Sequence, residues 1–429
     1  MPVTSSLGKP SLGKPSFNPA ASSSALAQQW NNPSDVFSVL LIIGGDILAK
    51  AIAQLAGSRV TPVAFSFGWV AYSVTALVNV VGDNRLMPAA DCPCKVINAH
   101  NGLIRDNSSW VIGRLVRDFE SWMDDGRPDK PIRRRVREIL AEQQKALGAS
   151  RPPLRAGLCV SVYTAREARP GHPGYDSAYF AGLVTAVMQL ALAAVPCGLY
   201  GNWAILLVTV IGIALSFATG AVPQWAAEKW ACRRKSDKTT ILTRGNGSQH
   251  AIVIIGDGKG LDLEDLAATG SASFSSPITK FLALVLAVLW ILLLVTAAGI
   301  QEDTWYLLAI GSLGILDNIY VAGVSRSPND FGIPLEFVTV IGHCKVMQAL
   351  SEVETRYPRV GKSMLATFFP GSLRQDEIER WNEFERSAKQ REENKLSGAA
   401  GKQKTVHQGV PSVLSDVAPI IQSDSSSSV

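Results

Sequence analysis

Three ionisable residues stand inside apolar runs, where a charge needs a reason. Asp46 and Lys50 interrupt VFSVLLIIGGDILAKAIAQLA (36–56), and Asp317, followed by Asn318, interrupts TWYLLAIGSLGILDNIYVAGV (304–324). Ionisable groups at membrane depth face a bundle interior or a water-filled cavity and often mark ion or proton paths. The chemistry on offer is therefore a polar pathway lined by Asp46, Lys50 and Asp317, joined by Gln189. A plainer reading competes with it. A spacing of four puts Asp46 and Lys50 on one helix face, where they can pair internally, while Asp317 lies near an interface. The plainer reading is favoured, because transporters show more intramembrane polarity, repeats or broken spans.

Other candidate chemistry is thinner. The six cysteines (92, 94, 159, 197, 232 and 344) include no CxxC, and Cys92-Pro-Cys94 offers two ligands at a spacing unusual for zinc. No metal or cofactor is expected. Cys92, Cys94 and Cys232 follow shortly after apolar runs, where reversible palmitoylation is an option beside the ordinary free thiol. Gly361-Lys362-Ser363 is no phosphate loop, because Arg356 occupies the position where the pattern needs its first glycine. Gly256-Asp-Gly-Lys-Gly260 follows a strand but lacks the later glycine spacing, so a tight turn is the reading. Arg133-Arg-Arg135 with Arg137 could touch anionic headgroups, with a solvated helix face as the default.

These residues are positioned by apolar segments. FLALVLAVLWILLLVTAAG (281–299) is uncharged and long enough to cross a bilayer, which takes about 20 residues. Segments 36–56, 62–82, 178–199, 203–223 and 304–324 read as further spans. The expectation is an α-helical membrane protein with six transmembrane helices in three hairpins: 35–82, 178–223 and 281–324. Links 57–61, 200–202 and 300–303 would share one side, and they hold one basic residue, Arg59. Arg85, Lys229, Arg233-Arg-Lys235 and Arg326 lie close to spans on the other side, which the positive-inside rule makes cytoplasmic. Both termini and both long loops are then cytoplasmic. The net charge of +5 reflects this asymmetry, and no nucleic-acid partner is expected.

Residues 1–34, with their tandem SLGKP, lack a signal-peptide core and read as a flexible tail, as do 396–429. Loop 83–177 is patterned. KVINA (95–99) and LIRDN (103–107) flank a hairpin turn, an amphipathic helix covers 108–123, another starts near Pro131, and GLCVSVYTA (157–165) is a strand. Loop 224–280 adds two β-rich runs within 239–256 and a helix from Leu261. The two loops are expected to combine into one small α+β domain. Residues 331–342 read as re-entrant or interfacial, ahead of helices at 343–356 and 374–394 within the cytoplasmic or interfacial segment 325–395.

The strings KVINAHNGLIRDNSSWVIGRLVRDFESW (95–122), EKWACRRKSDKTTILTRGNGSQHAIVI (228–254) and TFFPGSLR (367–374) are similar to those of a set of fungal multi-pass membrane proteins with no assigned activity. The resemblance covers most of 35–385, implies a membrane protein, and carries over no functional residue. Partners besides the lipid bilayer are expected to be cytosolic proteins meeting 83–177, 224–280 and 325–395. The expected function is a membrane-anchored scaffold or regulator, with a transporter or channel using Asp46 and Asp317 as the alternative. No nucleophile–base pair, metal set or carboxylate dyad is legible, so an enzyme is the third and least supported option.

Overall fold

The computed structural model describes residues 44–58, 60–148, 153, 155–171, 174–269, 276–388 and 390. The two tails, Arg59, the apolar stretch 36–43 and the end of the charged C-terminal helix lie outside the described residues.

In chain order, α1 (Gly45–Leu55) and α2 (Gly68–Gly82) precede the hairpin β1 (Lys95–Asn98) and β2 (Ile104–Asp106). Then come α3 (Trp110–Arg117), α4 (Phe119–Trp122), α5 (Pro131–Leu147) and β3 (Leu158–Ala165). The helices α6 (Ser177–Tyr200), α7 (Ala204–Gly220) and α8 (Gln224–Lys229) lead to β4 (Thr240–Thr243) and β5 (His250–Ile255). After α9 (Leu263–Ala267), α10 (Pro277–Ala298) and α11 (Thr304–Gly323), a 3-10 turn (Pro328–Phe331) leads into β6 (Leu335–His343). Helices α12 (Val346–Arg356) and α13 (Val360–Phe368) follow, with a last helical stretch over 375–388.

Three helices, α6, α10 and α11, are long and apolar enough to cross a membrane, and α7 is shorter at 17 residues. The turns after α6 and α10 meet at one end, where Asn202 Nδ2 donates to Asp303 Oδ2 at 3.2 Å. The sheet lies at the opposite end.

The first hairpin is not what its composition promises. α1 has 11 residues and α2 has 15, and residues 60–66 between them belong to no helix or strand, with Phe67 at the turn that starts α2. The link is at the sheet end, not beside the other two. Gly57, at φ +119°, lies where a Cβ would meet the Trp230 ring, and Lys229 Nζ donates to the Ala56 carbonyl at 2.8 Å. The chain then passes from Thr61, against Gly220 at the sheet end, to Phe65 and Phe67, against Gly212 and Gly311 farther in. α2 climbs back, because Trp69 stacks on Trp290 of α10 while the residues after it, Leu86 and Met87, donate backbone N–H groups to Glu228. Pro62 explains part of the break, since proline disfavours the α conformation in the residue before it. A window of hydropathy sees only apolar residues, which a buried non-helical strip supplies as well as a span does.

The sheet has six strands in the order β2-β1-β4-β5-β3-β6, with β3 and β5 parallel and every other pair antiparallel. The two hairpins and the helix after Leu261 stand as expected. Residues 331–342 are corrected: most of this run is edge strand β6, pairing from Leu335↔Ala165 to His343↔Leu158. The domain is therefore assembled from three segments, not two loops. The helix expected over 108–123 breaks at Asp118 into α3 and α4.

Alternation assigns the faces. Ile97, Ile241, Val253 and Val160 face α12, α13 and the last helix, packing on Leu350, Met364, Phe368 and Trp381. Their neighbours Val96, Leu242, Ile252 and Cys159 face α3, α4 and the bundle, among Trp110, Ile112, Leu115 and Trp122. A strand covered on both faces reads as a continuous apolar run, as His250–Ile255 does.

Candidate sites in the bundle and on the sheet domain

The non-helical strip 60–67 is the feature of the bundle that needs explaining, because its backbone groups are buried without a helix to pair them. Thr61 through Phe67 are all buried. Side chains from the surrounding helices serve them. Gln189, half-way along α6, donates to the Phe65 carbonyl at 2.7 Å and the Ile310 carbonyl at 2.9 Å. Asn318 donates to the Ala64 carbonyl at 3.1 Å and to Ser66 Oγ at 3.3 Å. Trp69 Nε1 also donates to Ala64 O at 2.9 Å. Glycines make the room: a Cβ at Gly182 would lie 1.7 Å from Pro62 O, and one at Gly314 would lie 1.8 Å from Phe65 O. Irregular backbone at membrane depth is tolerated only where protein or a cavity covers it. Here protein covers it, since the pocket against Phe65, Ser66 and Phe67 measures about 10 Å³, room for no more than about one water.

At the sheet end two cations clamp the strip's entrance. Lys229, fully buried, donates to the carbonyls of Gln54 (3.0 Å) and Ala56 (2.8 Å) at the end of α1. Arg326 reaches the same Gln54 carbonyl at 2.6 Å and holds Asp176, the N-cap of α6, with two further bonds of 2.7 and 3.0 Å. Cations at a helix C-terminus complement its dipole, and the Phe331 ring lies under both. Burial, with Arg326 beside it, pushes the Lys229 ammonium well below its ordinary value, against the opposing pull of Asp176.

The structure does not bring the three sequence-derived polar residues together. Asp46 and Lys50 are exposed on α1, and no ion pair joins them among the described residues. Asp317 is buried in α11, beside Thr185 of α6. Gln189 instead serves the non-helical strip, and so does Asn318, whose part the sequence did not disclose. Gly44, Gly311 and Gly314 are close-approach positions, against Gly68, Phe67 and Phe65. Cys92 and Cys94 are buried in the domain, and burial pushes the Cys94 thiol up to about 12, with Cys92 adding to it. The Cys232 thiol, half-buried, is likewise pushed up to about 12 by burial and by Asp262 and Asp265. Acylation needs an accessible thiolate, which the surroundings of Cys94 and Cys232 disfavour.

The sheet domain carries open clefts. One, of about 560 Å³, lies between α3–α4 and the β4–β5 turn, and its walls include Arg117, Glu120, Arg155, Arg244 and His250. Another, of about 460 Å³, lies between the β1–β2 turn and α13, with Arg359, Lys362 and Glu385. No grouping of His, Cys, Asp and Glu able to hold a metal occurs among the described residues. No protein-family model matches the chain, and no curated protein or solved structure does either.

Proposed function

We propose that this is a multi-pass integral membrane protein working as a membrane-anchored scaffold or regulator through its sheet domain, which faces the cytosol. The observation that carries the reading is the contrast between a filled bundle and an open domain. The strip 60–67 is packed among the bundle helices, the pocket against Phe65, Ser66 and Phe67 holds about one water at most, and clefts of about 560 and 460 Å³ open on the sheet domain. The resemblance to fungal multi-pass proteins fits this reading, and the cytosolic partners would meet 83–177, 224–280 and 325–395.

A transporter or channel is the second reading, and the strip favours it. Broken spans with freed backbone carbonyls are the usual site of substrate and ion binding in secondary transporters, and Asp317 stands near this one, with Asp46 on the exposed face of α1. Proteoliposomes carrying the full-length protein separate the two. The scaffold reading expects proton and potassium flux no greater than in protein-free vesicles. Flux that Asp317→Asn abolishes without loss of folded protein overturns it.

A further inference from the structure

The cleft between α3–α4 and the β4–β5 turn presents two guanidinium groups, those of Arg244 and Arg155, that pair with no carboxylate among the described residues. Arg244 is exposed on the turn and donates to the Val116 carbonyl at 3.4 Å. Arg155, exposed on the chain entering β3, has no ion pair among the described residues. Arg117 is shared: it pairs with Asp118 at 2.6 Å and Asp91 at 3.4 Å, and donates to the Gly323 carbonyl at 3.2 Å. That last bond locates the cleft, because Gly323 ends α11. The mouth of the cleft therefore stands where a membrane-length helix leaves the apolar layer. Among the lining residues Glu120 is the one carboxylate, and Arg117 is already held by Asp118 and Asp91, so the guanidiniums of Arg155 and Arg244 face one acid. The floor is apolar and aromatic, with the Phe119 and His250 rings 5.1 Å apart.

The second cleft shows what a neutralised version looks like. There Lys362 pairs with Glu385 at 2.6 Å, and Arg359 donates to the His100 ring at 3.0 Å.

We infer that the α3–α4/β4–β5 cleft binds a phosphate-bearing anion, the headgroup of an anionic lipid or a soluble phosphorylated small molecule, gripped by Arg244 and Arg155. The guanidinium fork matches phosphate oxygens bidentately, which a lone ammonium does not. Asn246 adds an amide group to the lining, while the Ser248 hydroxyl and the Gln249 amide are engaged by His250 and by the Ala156 N–H and shape the turn. Glu120 faces the same space and suits a ligand that also carries hydroxyls. The inference rests on the reading of the sheet domain as the working part of the protein.

The test uses the full-length protein in detergent and three probes: a short-chain phosphatidylinositol bisphosphate, ATP and inorganic pyrophosphate. Calorimetric titration of wild type is compared with the double variant Arg155→Ala/Arg244→Ala. Binding of at least one probe is expected, weakened roughly tenfold or more in the double variant with an unchanged unfolding temperature. Arg244→Lys, which keeps the charge and loses the fork, is expected to fall between the two, and Lys362→Ala in the second cleft to match wild type. Preference for the lipid probe identifies a headgroup, and preference for ATP or pyrophosphate a soluble ligand. Binding of no probe, or equal binding by the double variant, overturns the inference. Flux in the vesicle experiment with phosphate binding intact would sink the scaffold reading and leave this site standing, while absence of both flux and binding would do the reverse.

Discussion

Gln189 donates its amide hydrogens to the Phe65 carbonyl, in the non-helical strip, and to the Ile310 carbonyl of α11, tying the two together, so it is worth more than its type suggests. Gln189→Leu is expected to lower stability by about 1–2 kcal/mol, the range for single hydrogen bonds between membrane helices at their strongest, read as a fall in the unfolding temperature in detergent. The glycines set a harder limit. A Cβ at position 314 would sit 1.8 Å from Phe65 O, whereas one at Gly198 meets nothing within 4 Å. Gly314→Ala is expected to cost more than about 3 kcal/mol, as disruptions of packed backbone do, and to lose the monodisperse peak on size exclusion; Gly198→Ala is expected to keep it. His250 answers to pH. Burial lowers its pKa from 6.5, with Arg244 adding and Glu120 opposing, so the fold prefers the neutral ring. The stability so held is complete above the ordinary value and is lost as pH falls through the lowered one. His250→Gln is expected to flatten the acid limb of an unfolding-temperature profile below pH 6.5.

At the scale of elements, α12, α13 and the stretch 375–388 cover a whole face of the sheet. Met364 is fully buried against that face, and Met364→Ala is expected to cost about 2–5 kcal/mol, as other large-to-alanine core changes do. The measurement is urea unfolding followed by the fluorescence of Trp381, which is buried in the same cluster. The hairpins β1–β2 and β4–β5 were legible because partner strands lie within a few residues and glycine-containing turns join them; Gly102, Gly245 and Gly247 all adopt positive φ. β6 was not legible. Its partner β3 lies far earlier in the chain, and an apolar run interrupted by Glu336 next to a membrane helix looks interfacial until the pairing is known. Glu336 itself meets Arg166 across the β3–β6 edge.

At the scale of the whole molecule, the prediction concerns sidedness. Glycan acceptors engineered into extended forms of the turns at 201–203 and 299–303 are expected to be modified in a microsomal assay. The native sequons at Asn107 and Asn246, and an acceptor placed at 57–60, are expected to stay bare. The turns after α6 and α10 touch each other, whereas Ala56 touches Lys229 beside the sheet. Glycans on Asn107 or Asn246 would put the sheet domain outside the cytosol and remove the basis of the scaffold reading.

The sequence alone determined that long apolar helices exist and where the four strands of the two local hairpins and the strand 158–165 lie. These are properties of neighbours along the chain: periodicity, turn chemistry, the length of an apolar run. Only the tertiary structure decided that the strip 60–67 is non-helical, that its link returns to the sheet end, and that β6 closes the sheet. Each depends on partners remote in sequence, since a buried backbone outside a helix is stable only where Gln189 and Asn318 bond its carbonyls and where Gly182 and Gly314 leave space for it. The cleft has the same origin. Arg117, Arg155 and Arg244 are ordinary surface cations in the sequence, and they face one space only because α3 lies across the end of α11 beside the β4–β5 turn.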